Sequence, residues 1–179
     1  MWPGEDFHTV YYGWGHGGTV DGSQKGRAGY DRVLADPLST ARQARLLEAQ
    51  PIAELLGLNS YEVTIHPDRL SSREIRTKAE RHVVTSPPCY AELMIDTIVL
   101  QSHVLSGRGL NIVYRFRQFD SDPAPTRVFG TYVVEPLEID LTDKAEPDPV
   151  VFTAELERAF NENLKEFAAN VKTPRKKKK

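Results

Sequence analysis

Between Leu110 and Arg117 the side chains alternate. Leu110, Ile112, Tyr114 and Phe116 fall on one face, and Asn111, Arg115 and Arg117 on the other, with Val113 the exception. A period of two belongs to a strand with one dry and one wetter side. Similar runs flank it at 92–100 and 128–135. A long amphipathic pattern follows from about Pro149 to Val171, with Phe152, Leu156, Phe160, Leu164 and Phe167 down one stripe. A sheet with one apolar face and a helix with one apolar stripe suit each other. The pattern predicts a helix lying across a sheet.

Earlier in the chain, apolar residues recur near helical spacing at Ala41, Ala44, Leu47, Ile52, Leu55 and Leu56. Pro51 interrupts them, because its ring clashes with the preceding turn. Two short helices are expected, about 38–49 and 51–56, with Gly57 as the stop. Tyr61, Val63 and Ile65 alternate with polar residues as a first short strand. Ser71-Ser72-Arg73-Glu74 reads as a capping box, and Leu70 and Ile75 stand where a hydrophobic staple needs them. A helix over about 72–82 is expected, barred from continuing by Pro87-Pro88.

In Glu92–Leu100, Leu93, Ile95 and Val99 share one parity, and Met94, Ile98 and Leu100 the other. Apolar groups on both faces suggest a central strand. Ser106-Gly107-Arg108-Gly109 is turn chemistry, so 92–100 and 110–119 should form an antiparallel hairpin. Pro136 marks an edge or an exit from the third strand. Asp148 and Pro149 are a suitable cap and first residue for the closing helix.

The expected fold is therefore α+β: a single domain over 37–171 with an antiparallel sheet of about four strands, helices packed mainly on one face, and a long C-terminal amphipathic helix. Strand, helix, three-stranded meander and long terminal helix over 60–171 resemble, in element order alone, the auxiliary lipoproteins of bacterial transport systems. The chain carries no lipid-attachment cysteine motif near its start and is not placed among them.

Residues 1–36 form an irregular glycine- and aromatic-rich arm. Seven of the 12 glycines lie between Gly13 and Gly29, interleaved or flanked by Trp2, Phe7, Tyr11, Tyr12 and Trp14. Glycine raises the entropic cost of order, so these aromatics are expected to clip onto the body or a partner. At the other end, 172–179 hold six positive charges and no negative one, a disordered basic tail. Removing those six from 23 leaves 17 basic against 25 acidic residues, about −8 for the body. Such a tail seeks anions: nucleic acid, acidic lipid or an acidic protein surface.

No apolar run approaches the roughly 20 residues a membrane helix needs, and no signal peptide is read at the start. The cytoplasm is favoured, although an exported chain with its signal removed would read the same. Cys89 is the single cysteine, so no internal disulfide forms.

Three residues are candidates for chemistry. Cys89 as a nucleophile needs a base or a helix N-terminus. His82 could serve only if the proline turn folds back, and a buried structural thiol fits better. Asp96, mid-strand among apolar neighbours, could be an acid or base with raised pKa. Pairing with Arg115 or Arg117 on the next strand fits better. His16, in Gly-Trp-Gly-His-Gly-Gly, reads as a solvent-exposed histidine. The glycines match neither a phosphate loop nor a dinucleotide fingerprint. His66, His82 and His103 lack tight ligand spacing, and no metal or cofactor is expected. Arg69, Arg73, Arg76, Lys78 and Arg81 cluster on or beside the 72–82 helix, where Glu74 and Glu80 make an ordinary solvated face.

The expected function is a non-enzymatic protein-binding or assembly component of a larger complex, with an unidentified protein partner. Tyr11, Tyr12, Trp14 and His16 of the arm and Arg175, Lys176, Lys177, Lys178 and Lys179 of the tail would make the contacts. One alternative is a small enzyme with a cleft using Cys89, His82 or Asp96. Another is nucleic-acid binding through the tail and the 72–82 helix, which the acidic body opposes.

Overall fold

A computed structural model of the chain describes residues 1–4, 8–12, 20–21, 38–84, 88–103, 107–138 and 148–173, with backbone alone at 8–12, 20–21, 102–103 and 107. It is α+β. The antiparallel sheet is built of three long strands, not about four: β3 (Tyr90–His103), β4 (Gly107–Phe119) and β5 (Arg127–Pro136). Two short strands of the arm, β1 (His8–Tyr12) and β2 (Val20–Asp21), lengthen it past β3. β1 runs parallel to β3, and the order is β2-β1-β3-β4-β5.

Residues 61–65, expected as a strand, form no regular element and do not belong to the sheet. Among the described residues they are tied to Met1. The Met1 backbone nitrogen donates to Thr64 O at 2.7 Å, and His66 N–H donates to Met1 O at 2.8 Å. The next residue, Trp2, pairs in turn with β3: its N–H donates to Leu93 O and Ile95 N–H donates to its carbonyl. Two residues of arm thus fill the gap a fourth strand would have occupied. The turn expected at 106–109 is also shifted, since Gly107 to Gly109 already pair with β3.

The faces of β3 differ from the simple alternation. Ile95 pairs with Tyr114 and Thr97 with Val113, so Asp96 is an extra residue in a bulge. The bulge shifts parity by one. Leu93, Ile95, Ile98 and Leu100 therefore share a face with Leu110, Ile112, Tyr114, Phe116 and Val133, all buried. β3 is the central strand read from sequence, with Met94 buried on the opposite face, but the bulge moves Ile98 and Leu100 onto the face of Leu93 and Ile95.

Among the described residues, four helices follow from the local signals: α1 (Thr40–Glu48), α2 (Ile52–Leu56), α3 (Ser72–Thr77) and α4 (Pro149–Lys172). Gly57 ends α2 at a φ of 71°, where a side chain would strain the backbone. Asp148 caps α4 through Val150 N–H with Pro149 in the first turn. Phe152, Leu156, Phe160, Leu164 and Phe167 are all buried against the sheet, and Phe167 stacks on Tyr114 with centroids 4.5 Å apart. Leu47, Ile52 and Leu56 of α1 and α2 join the same core. Among the described residues no helix is long and apolar enough to cross a membrane.

Gln43 of α1 is fully buried and ties the arm down. Its side-chain oxygen accepts from Gly4 N–H at 2.7 Å, and its amide donates to Leu38 O at 2.7 Å.

Candidate functional site

α3 lies on the opposite face of the sheet, over the first half of β3. Ser71 and Glu74 form the capping box expected there. The helix stops at Thr77 rather than near 82, and the reason is electrostatic. Lys78, Ala79 and Glu80 turn their carbonyls onto the guanidinium of Arg117, which is buried on β4. Carbonyls engaged there cannot serve a helix.

Arg117 also meets Glu92, directly opposite on β3, with Nε 3.0 Å from Oε2. The other Glu92 oxygen accepts from His82 N–H at 2.5 Å. One step along, the bulged Asp96 accepts from Ser72 Oγ at 2.5 Å and Arg76 Nε at 3.0 Å, with Arg115 Nε at 3.5 Å. Both carboxylates are buried in arginine-lined sites. Arg115 takes Asp96, while Arg117, its other expected partner, is bound to Glu92.

Between these clusters sits a small second core of Trp2, Ile75 and Met94. The Trp2 ring stacks on His66 at 4.4 Å and meets His82 edge-on at 5.5 Å. Burial lowers the pKa of both histidines. For His66 the neighbouring Met1 amine acts the same way, and for His82 the carboxylate of Glu92 opposes it.

Of the three residues considered for catalysis, the structure places each in a different setting. Cys89 is exposed rather than buried, because it lies in the bend at Pro88 and Cys89 that leads into β3. It lines a cavity of about 540 Å³ with Tyr61, Glu62, His66 and Tyr90. His82 and Asp96 are not in that lining. Burial and the Glu92 carboxylate push the Tyr90 hydroxyl well above its usual pKa.

Beyond α3 the same face of the sheet carries a different surface. On β5, Val128, Tyr132 and Val134 point to this side and are 61%, 67% and 41% exposed. They sit beside Arg117, Val113 and Asn111 of β4, respectively. β5 is also the end strand of the sheet. Leu137 N–H donates to Arg108 O, and antiparallel pairs alternate. Val128, Tyr132 and Val134 therefore turn their backbone N–H and C=O away from β4. Pro136 falls in the same outward series, so its missing N–H deprives β4 of nothing.

Of the residues expected to bind a partner, Tyr11 and Tyr12 lie in β1, opposite Ser102 and His103. Trp14, His16, Arg175, Lys176, Lys177, Lys178 and Lys179 lie outside the described residues. On the basic helix, Arg76 is bound to Asp96, and Arg81 donates to Pro88 O and Asp120 O. The sequence did not reveal the β5 surface. Its signal was the even-numbered series Val128, Tyr132, Val134 with Pro136 closing it.

No protein-family model, characterised protein or solved structure matches this chain.

Proposed function

We propose that this protein is a non-enzymatic protein-binding or assembly component, and that it makes its contact through the β5 side of the sheet. What supports this is the row of exposed Val128, Tyr132 and Val134 along β5, the end strand of the described sheet. An exposed apolar edge strand is a template for another chain, and soluble proteins usually blunt such edges with lysine or extra turns. Strand addition supplies affinity through main-chain hydrogen bonds and specificity through alternate side chains. The test uses the full chain as bait in a cell extract, with Tyr132→Lys as control and the bound proteins identified by mass spectrometry. A partner retained by the wild type and lost by Tyr132→Lys is expected. Identical sets from the two baits would refute this contact.

A small enzyme working in the cavity at Cys89 is the second reading, and the cavity volume favours it. It rests on Cys89, His66 and Tyr90 rather than on His82 or Asp96. Thiol labelling of the native protein tests it: activation by a base gives rapid labelling with a pH midpoint below the ordinary thiol value of about 8.5. Labelling at the ordinary rate removes this reading.

A further inference from the structure

We propose that the gap beside the first half of β3 is a slot for an extended peptide, which adds to β3 as a parallel strand in line with Met1 and Trp2. The inference goes beyond the β5 contact, from which β4 separates it. Its ground is what Met1 and Trp2 already do.

Trp2 donates its N–H to Leu93 O and accepts from Ile95 N–H, which is parallel pairing with Met94. In the antiparallel β3–β4 pair, residues alternate between facing β4 and facing away. Ahead of the bulge the odd-numbered ones therefore turn both backbone groups toward the gap. Leu93 N–H and the N–H and C=O of Ala91 point the same way as Leu93 O. Among the described residues no hydrogen bond ends on any of these three groups. Leu93 is buried, a setting in which backbone N–H groups are seldom left unpaired. A guest residue standing next before Met1 on this line would give its N–H to Ala91 O and take Leu93 N–H on its carbonyl. Ala91 N–H would serve the residue two places further back. Main-chain bonds of this kind are how strand addition holds a partner.

The space for such a guest is open. Two cavities flank the line, and Met1, Tyr61, Glu62, Thr64 and Ala91 wall both of them. The one of about 60 Å³ lies on the core side, against Ile52, Leu56, Leu58 and Phe116. The one of about 540 Å³ lies on the α3 side, with His66, Val83, Cys89 and Tyr90. Side chains alternate along a strand, and here Met1 points into the main core while Trp2 joins the small core under α3. A guest that continues this alternation sets its last side chain in the large cavity and its penultimate one in the small cavity. The volumes decide the chemistry: a small aliphatic penultimate residue, then one large enough to carry a ring beside His66 and Tyr90. A guest not joined to Met1 stops one hydrogen bond short of its nitrogen.

The probe is the peptide acetyl-Ser-Thr-Ser-Val-Tyr, added to the full chain. The readout is Cys89, the single cysteine, exposed at the large cavity. Peptide at about ten times its Kd should slow labelling of that thiol about tenfold. N-methylation of the final tyrosine removes only the N–H aimed at Ala91 O and should weaken binding about two- to tenfold. Tryptophan in place of the valine overfills the small cavity and should weaken binding by about tenfold or more. Ala91→Leu, which fills the same cavity from within, should do likewise with a melting temperature no lower than that of the wild type. A chain lengthened ahead of Met1 by Ser-Val-Tyr should fill its own slot and protect Cys89 with no peptide added. Tyr132→Lys should bind the peptide as the wild type does, which keeps this site distinct from the β5 contact. No protection of Cys89 at millimolar peptide, or protection that N-methylation leaves unchanged, would overturn the proposal. Loss of the peptide in Tyr132→Lys would place it on β5 and overturn the proposal as well.

Discussion

Glu92 and Arg117 face one another across β3 and β4 with both side chains out of water. The pair is completed by backbone: His82 N–H on the carboxylate and the 78–80 carbonyls on the guanidinium. Sequence-local structure around α3 is therefore subordinate to a charge pair formed by two distant strands.

Breaking that pair from the cationic side should cost more than from the anionic side. Arg117→Met leaves a buried carboxylate without its counter-charge and should lower stability by about 3–5 kcal/mol. Glu92→Gln keeps an acceptor for His82 N–H and should lose less, about 1–3 kcal/mol. Urea unfolding of both variants measures the difference. Equal losses would mean that charge is not the quantity that matters here.

Gly4 is packed where no side chain fits. A Cβ there would stand 2.7 Å from Ile95 Cγ2 and 3.4 Å from the Gln43 side-chain oxygen. Gly4→Ala should cost about 1–3 kcal/mol through overpacking. Ile95→Ala should cost less in the Gly4→Ala chain than in the wild type, because the first change fills part of the space the second opens. A double-mutant cycle that sums without coupling would show that the two do not touch.

Stability should fall as pH drops from 7 toward 5. Burial lowers the folded pKa of His66 and His82 from the ordinary 6.5. Above 6.5 both folded and unfolded chains hold neutral rings, and the folded state has its full stability. Below it the unfolded chain takes up protons first, and the loss is complete only under the folded pKa. His82→Leu should flatten this part of the melting-temperature profile. An unchanged slope would assign the pH response to other groups.

The bulge in β3 makes an uncommon prediction about deletions. Removing Thr97 closes the bulge and leaves Leu93, Ile95, Ile98 and Leu100 at alternate positions on the core face, so this chain should fold. Removing Met94 moves Ile95 out and drives Asp96 into the apolar core under α4, where an unpaired carboxylate is prohibitive. Soluble yield and a cooperative melt should separate the two. A folded Met94 deletion would show that the step in the strand does not set its frame.

Much of the fold was legible where the signal is local. The α4 stripe, its Asp148 cap and Pro149, and the Ser71–Glu74 box are determined within a few residues. The β3 frame was not, because Leu93 to Leu100 is apolar at both parities and a one-residue step leaves no trace. Residues 61–65 alternate as a strand does, yet what lies beside them is Met1, 63 positions from its contact at Thr64. The candidate site divides in the same way. Asp96 with Arg115 could be anticipated from neighbouring strands. Glu92 with Arg117 could not, since part of its environment is a helix that stops early. Cys89 reads as a small apolar residue by type, and its place in the bend before β3 exposes it.

The docking of Met1 and Trp2 between 64–66 and β3 also orders events in time. On the ribosome these two residues are made about ninety positions before Leu93 and Ile95, and contacts of such separation are slow to form. Until then a tryptophan destined for the interior stays wet and adhesive, and chains synthesised side by side have that interval in which to find one another's unfinished sheets.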